Sequence, residues 1–193
     1  MNESDSDRRR QMVRRQVTDW DRWRDPTQLL AEWRSRARVA AQLIPPGAVV
    51  LDLGCGNMSL ELELPQGCSY IPCDLVARDS RTVVCDFNRD KLPMLSGVTH
   101  IALLGVLEYI FDCDRFLKQL TRFRCPIVAS YHPVECTANW DRASRGWVNA
   151  FSREGLVDLF GCRQYLILKR LTIGCHQELM YIVNPSDRGS TAM

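Results

Sequence analysis

The chain predicts an α/β fold: a three-layer sandwich built around a mostly parallel sheet. Three observations predict it. Short apolar runs alternate with helical or turn segments, the run Val49 to Leu53 feeds directly into the glycine loop "GCGN", and two longer strand-like segments close the sequence. Acidic residues stand at or just past the ends of several runs, in "CDL", "CDFN", "GVLEYIFD" and "SYHPVE". In open α/β sheets ligands bind beyond the carboxyl ends of the strands, so these ends are where chemistry is expected.

At 193 residues the chain suits one domain, expected over residues 13–185. The arginine-rich start "DRRRQMVRRQ" reads as a solvated, disordered tail over residues 1–12, and the small polar residues 186–193 read as a second one. Net charge is only +2, and no aromatic pattern of the RNA-binding kind accompanies the arginines, so nucleic acid is not an expected partner. Neither a long apolar run nor a signal-peptide pattern occurs, so no membrane span is expected. Nine cysteines without a C-x-x-C pair read as thiols of a reducing, cytoplasmic setting. His100, His132 and His176 lack metal-ligand spacing, and no metal site is expected.

Taken in order, the first folded element is "DPTQLLAEWRSRARVAAQLIPPG". It carries Leu29, Leu30, Trp33, Ala37, Ala40, Ala41 and Ile44 at helical spacing, opens at Asp25-Pro26 and stops at Pro45-Pro46-Gly47. Strands follow at Val49 to Leu53, Ser69 to Cys73, Thr82 to Cys85, Ile101 to Leu104 and Ile127 to Ser130. The helix between the first two is cut short by Pro65. "FSREGLVDLF" is a helix capped by Ser152, and "RQYLILKRLTI" with "QELMYIVNP" forms a closing hairpin. His100 lies in an apolar strand and reads as core.

The loop after the first strand lets the chain turn at Gly54 and Gly56 and lets a ligand approach the backbone. A dinucleotide-binding reading shares this logic, and Asp74 stands about twenty residues on. However, Ser59 occupies the place of the third glycine, and no second domain follows. "VVLDLGCG", Asp74 after the second strand, Asp86 after the third, "LGVLEYI" at the fourth and "GWVNAFSREGLVDLF" later together resemble the class I S-adenosylmethionine-dependent methyltransferases, over about residues 31–184.

That resemblance implies a seven-stranded Rossmann-like sheet with an antiparallel last strand, and S-adenosyl-L-methionine as cofactor with S-adenosyl-L-homocysteine as product. It implies that the cofactor's methionine part lies on Gly54, Cys55 and Gly56, with Asp52 supporting the loop. Asp74, followed by Leu75, takes the ribose hydroxyls; Asp86 and the Phe87 backbone read adenine; Leu104 and Gly105 lie beside the amino group. Met58 departs from the family's third glycine: it either packs beneath the following helix or crowds the cofactor.

His132, just past the fifth strand, is a candidate base with Glu135 as a possible neighbour, and Glu108 and Tyr109 are candidate acceptor contacts, Glu108 alternatively a helix cap. Residues 134–149, with Trp140, Arg142, Arg145 and Trp147, form the natural acceptor wall, while Trp20, Trp23 and Trp33 suit either a lid or the core. The fourth strand lacks the Asn/Asp-Pro-Pro-Tyr pattern of base methylation. The expected acceptor is therefore a small molecule or a glycan or sugar precursor, methylated on oxygen or nitrogen. The reading of a different class is a methyltransferase-like binding or assembly protein without catalysis.

Overall fold

The structure, a computed structural model, describes residues 3–186. Its centre is one seven-stranded sheet: β1 (Val49–Leu53), β2 (Ser69–Asp74), β3 (Val83–Val84), β4 (His100–Leu104), β5 (Ile127–Tyr131), β6 (Leu166–Ile173) and β7 (Gln177–Val183). The spatial order is β3-β2-β1-β4-β5-β7-β6. The first five strands are parallel, and β7 inserts antiparallel between β5 and β6. Parallel strands covered on both faces must be apolar on both, and β4 and β5 are buried at every position. The crossover between β1 and β4, where the order reverses, sets the ligand crevice over the strand ends.

The described residues form α1 (Glu3–Arg15), α2 (Trp20–Arg24), α3 (Trp33–Ala41), α4 (Cys113–Leu120) and α5 (Arg153–Gly161), of which α3, α4 and α5 pack on the sheet. One core layer packs Leu51, Leu53, Phe116, Leu117, Leu156 and Phe160; the other packs Ala37, Ala40, Ile44, Val50, Val128 and Leu179. Ser152 caps α5 by accepting from the Gly155 amide at 2.9 Å, and Asp112 caps α4 from the Arg115 amide. Among the described residues no helix is long and apolar enough to cross a membrane, and no cluster of three ligating side chains could hold a metal.

Two expectations are corrected. The tail expected over residues 1–12 is helical from Glu3 on, with residues 1 and 2 outside the described part. Its arginines do not trail in solvent: Arg10 bonds Asp141, Arg8 bonds Asp19 and Arg9 reaches Gln28. Side-chain pairing with segments far along the chain orders what composition alone reads as a polar arm. Second, the helix expected from Asp25 starts only at Trp33. Asp25 does cap, but it caps a single tight turn over Pro26–Gln28, after which Leu29 is extended. The tail expected over 186–193 lies, apart from Ser186, outside the described residues.

Candidate functional site

A large cavity of about 820 Å³ opens over the carboxyl ends of β1 to β5. The residues expected to hold the cofactor line it on one side, Asp52, Gly54, Cys55, Gly56, Asp74, Leu75, Asp86, Phe87, Leu104 and Gly105, and those expected to act on the acceptor, Glu108, Tyr109 and His132, line it on the other. The fold thus brings these positions to one cavity.

The glycine loop is tied to the sheet through its amides. The Gly54 and Cys55 amides donate to the Cys73 carbonyl, and the Gly56 amide donates to Asp74 Oδ2 at 2.8 Å. A three-residue turn at Glu61–Glu63 stands where a long helix would offer free N–H groups, so this loop presents close backbone approach instead of amide donors. Closeness has a steric cause: a Cβ at Gly54, which holds a φ of +77°, would stand 2.4 Å from Val106 Cγ2.

Met58 settles in the conformation the missing glycine would take, with φ +54°. Its side chain is absent from the cavity wall although Asn57, Ser59 and Leu60 line it. The cost is therefore backbone strain, not obstruction.

Asp74 is buried and doubly engaged. Besides the Gly56 amide it receives Arg78 Nη2 on Oδ1 at 3.1 Å, and Arg78 in turn donates to the Trp23 carbonyl. The Val76 amide also reaches Oδ1 at 3.4 Å and the Cys55 thiol reaches Oδ2 at 3.9 Å, so a ligand hydroxyl would compete with these two long, weak donors. Asp86 is 3% exposed; its Oδ1 accepts from the Asn88 amide and from Thr18 Oγ1, while Oδ2 is a buried acceptor without a donor. An orphaned buried acceptor at the third strand end fits an exocyclic amino group.

Asp52 lies beneath the loop and receives the Tyr70 hydroxyl at 2.7 Å. Burial raises its pKa to about 7, the Tyr70 bond and the Arg36 charge opposing and the Asp74 charge adding.

Arg36 was not singled out by the sequence, since its place on α3 reads as an ordinary polar face. It lines the cavity beside Gly105, where a Cβ would stand 2.5 Å from Nη1, and no described residue accepts a hydrogen bond from its guanidinium. Desolvation pulls its pKa down, with Glu108 and Asp52 opposing. A half-buried cation at the head of β4, with its guanidinium carbon 5.6 Å from the Trp33 ring and no hydrogen-bond acceptor among the described residues, is a seat for a carboxylate.

Across the cavity, His132 Nδ1 lies 2.8 Å from Glu108 Oε1, which also accepts the His132 amide. Glu108, 1% exposed, is thus neither a helix cap nor first of all an acceptor contact: it orients the imidazole. Glu135 is engaged elsewhere, accepting from the Arg153 amide. The ring of His132 stacks on Trp147 with centroids 4.6 Å apart, and Trp147 Nε1 donates to the Tyr109 hydroxyl at 3.0 Å.

Trp140, Arg145 and Trp147 line the cavity as expected, but Arg142 stands behind the wall, bonded to the His132 carbonyl, Tyr131 and Asn149. Of the upstream tryptophans, Trp23 and Trp33 line the cavity, and so do Asp5, Arg9 and Arg22 of α1 and α2. Those two helices roof the site. His100 is buried at the start of β4, as expected.

No protein-family model and no curated protein matches the chain. Solved structures do share its fold. A Burkholderia thailandensis 1,6-didemethyltoxoflavin N1-methyltransferase, bound to its substrate and S-adenosylhomocysteine, matches with a TM-score of 0.61 at 19% identity, covering 79% of this chain and 78% of that one. An Aquifex aeolicus S-adenosylmethionine-dependent methyltransferase matches at 0.62 and 13% identity over 82% and 97%. Human N-acetylserotonin methyltransferase matches at 0.65 and 15% identity over 90% of this chain but only 57% of that enzyme's length. The fold is the Rossmann-like methyltransferase fold, and the expected topology stands, including the antiparallel last strand.

Proposed function

We propose that the protein is an S-adenosylmethionine-dependent methyltransferase acting on a hydroxyl of a small molecule. The observation that carries this reading is the shared cavity: unpaired binding groups for an adenosyl amino acid lie on one wall, and an oriented histidine lies on the other. On the first wall, Asp86 Oδ2 accepts from the adenine amino group, the Asp74 oxygens accept from the ribose hydroxyls, and Arg36 pairs with the methionine carboxylate. The cofactor, when bound, supplies an electrophilic methyl group on a sulfonium.

The chain's own part is positioning and proton transfer. With Nδ1–H donating to Glu108, the imidazole exposes Nε2 as a proton acceptor. With an acceptor hydroxyl in the cavity, His132 would take its proton onto Nε2 as the oxygen becomes methylated, and the charge that forms on the ring would face Glu108. The roof of α1 and α2 keeps water from the reacting atoms. This arrangement favours a hydroxyl over an amine, and a small ring compound over a glycan, because indoles and not paired carboxylates form the acceptor wall. The pairing of His132 with Glu108 favours catalysis over a binding role alone, for which an oriented base has no use.

Calorimetric titration with S-adenosylhomocysteine tests the proposal. One-to-one binding that Arg36→Met weakens roughly tenfold or more supports it, and an inert, folded wild type at millimolar ligand refutes it.

A further inference from the structure

The acceptor wall holds a second cation that the reaction does not use. Arg145, at the end of the turn Ala143–Arg145, lies with its guanidinium carbon 4.0 Å from the Trp140 ring and 5.6 Å from that of Trp147. No described residue accepts a hydrogen bond from it or pairs with its charge, although it lines the cavity. Its backbone is fixed, however: Arg22 Nη1 donates to the Arg145 carbonyl at 2.7 Å, which ties the roof to this turn.

Stacking on an indole holds a guanidinium by its face and leaves its N–H edge directed outward, the geometry that grips a carboxylate through two parallel bonds. The same two indoles also touch the base: His132 is 4.6 Å from Trp147 and 6.0 Å from Trp140. One ring system therefore separates the proton acceptor from the anion seat. Of the carboxylates nearby, Glu108 accepts from His132 through Oε1 and leaves Oε2 buried without a donor, and Asp141 accepts from Arg10 and the Ser144 amide. Asp5 sits by Arg9, whose own pKa is lowered by burial and by the Arg22 charge, so the roof above adds positive potential.

We infer that the acceptor is a planar aromatic hydroxy acid whose ring lies against Trp140 and Trp147, whose hydroxyl meets His132 and whose carboxylate is held by Arg145. This rests on the methyl-transfer reading above and names its substrate class. Arg36 remains for the cofactor's carboxylate, while Arg9, Arg22 and Arg78, which also line the cavity, are bonded to Gln28, the Arg145 carbonyl and Asp74.

The test uses the full chain saturated with S-adenosylhomocysteine, its binding measured first on the same sample. Protocatechuate and caffeate are then titrated, each beside its uncharged primary amide. The acid is expected to bind at least about tenfold more tightly than its amide, a charge-assisted bidentate pair being lost in the amide. Arg145→Met, which keeps an apolar stem over Trp140, is expected to bring the acid down to the affinity of the amide, and Arg145→Lys to keep part of the preference. Amides binding as tightly as acids, no binding of either acid at millimolar concentration, or a preference that survives in Arg145→Met overturns the inference while leaving the methyl-transfer reading in place. Failure of the first titration removes that reading itself. The comparison of acid with amide needs no variant, so a poorly folding Arg145→Met does not protect the inference.

Discussion

The two walls of the cavity are built by different means. The wall over β1 to β4 is made by backbone and by acids one or two residues past a strand end, with Gly54, Gly56, Asp74 and Asp86 all placed by the sheet register. The facing wall is made by side chains from remote segments: Arg10 reaches Asp141, Arg22 reaches the Arg145 carbonyl, and Trp147 reaches Tyr109. A wall fixed by the sheet tolerates change in its neighbours, whereas a wall of mutual side-chain contacts moves as a unit. Changes on the first should alter cofactor affinity, and changes on the second should alter acceptor binding and turnover while leaving cofactor affinity in place.

The sharpest division is expected at His132. His132→Ala should lower turnover by roughly a hundredfold or more, with S-adenosylhomocysteine affinity unchanged by calorimetry. Equal losses in both would merge the two walls into one.

The reciprocal change is Asp86→Ala. It removes the orphaned acceptor and the anchor of the Asn88 amide, and should weaken S-adenosylhomocysteine roughly five- to a hundredfold, as loss of a buried hydrogen-bond acceptor does. Turnover at saturating cofactor should hold close to wild type.

The same contrast explains what the sequence disclosed. All seven strands, the hairpin and the placing of acids at the strand ends were legible because each follows from local signals: apolar runs, turn residues, an acid after a strand. Arg36, Arg78 and the roof of α1 and α2 were not legible. An arginine on a helix reads as solvated until the opposite wall is known, and only Asp141, 131 positions further along, shows why Arg10 is ordered. Glu108 was singled out, yet its partnership with His132 depends on the β4–β5 register. Met58 drew attention through a missing glycine, but its effect depended on φ, which the residue type does not reveal.

A pH experiment probes the first wall without a ligand. Asp52 has its pKa raised to about 7, so its contribution to stability is full below its unfolded value of roughly 3.9 and is lost as pH rises through about 7. Across that window thermal melts should show Asp52→Asn, which keeps an oxygen for the Tyr70 hydroxyl, gaining on wild type by an amount on the order of a few kcal/mol. Parallel pH profiles for the two proteins would place the charge of Asp52 in contact with solvent.

The smallest effect is expected at Met58. Replacing it with glycine relieves a left-handed residue and adds unfolded-state freedom, so stability should rise by about 1 kcal/mol or less. Cofactor affinity should not change, since the side chain stands outside the cavity wall. A tenfold gain in affinity would show that Met58 obstructs the loop after all.

The account's central claim is that one wall seats the cofactor and the other works on the acceptor. A crystal structure with S-adenosylhomocysteine tests it most directly. The account predicts the adenine amino group on Asp86 Oδ2, the ribose on Asp74, the carboxylate on Arg36 and the sulfur turned toward His132. An adenosyl group lying against Trp140 and Trp147, or a carboxylate on Arg145 with Arg36 left bare, would contradict it.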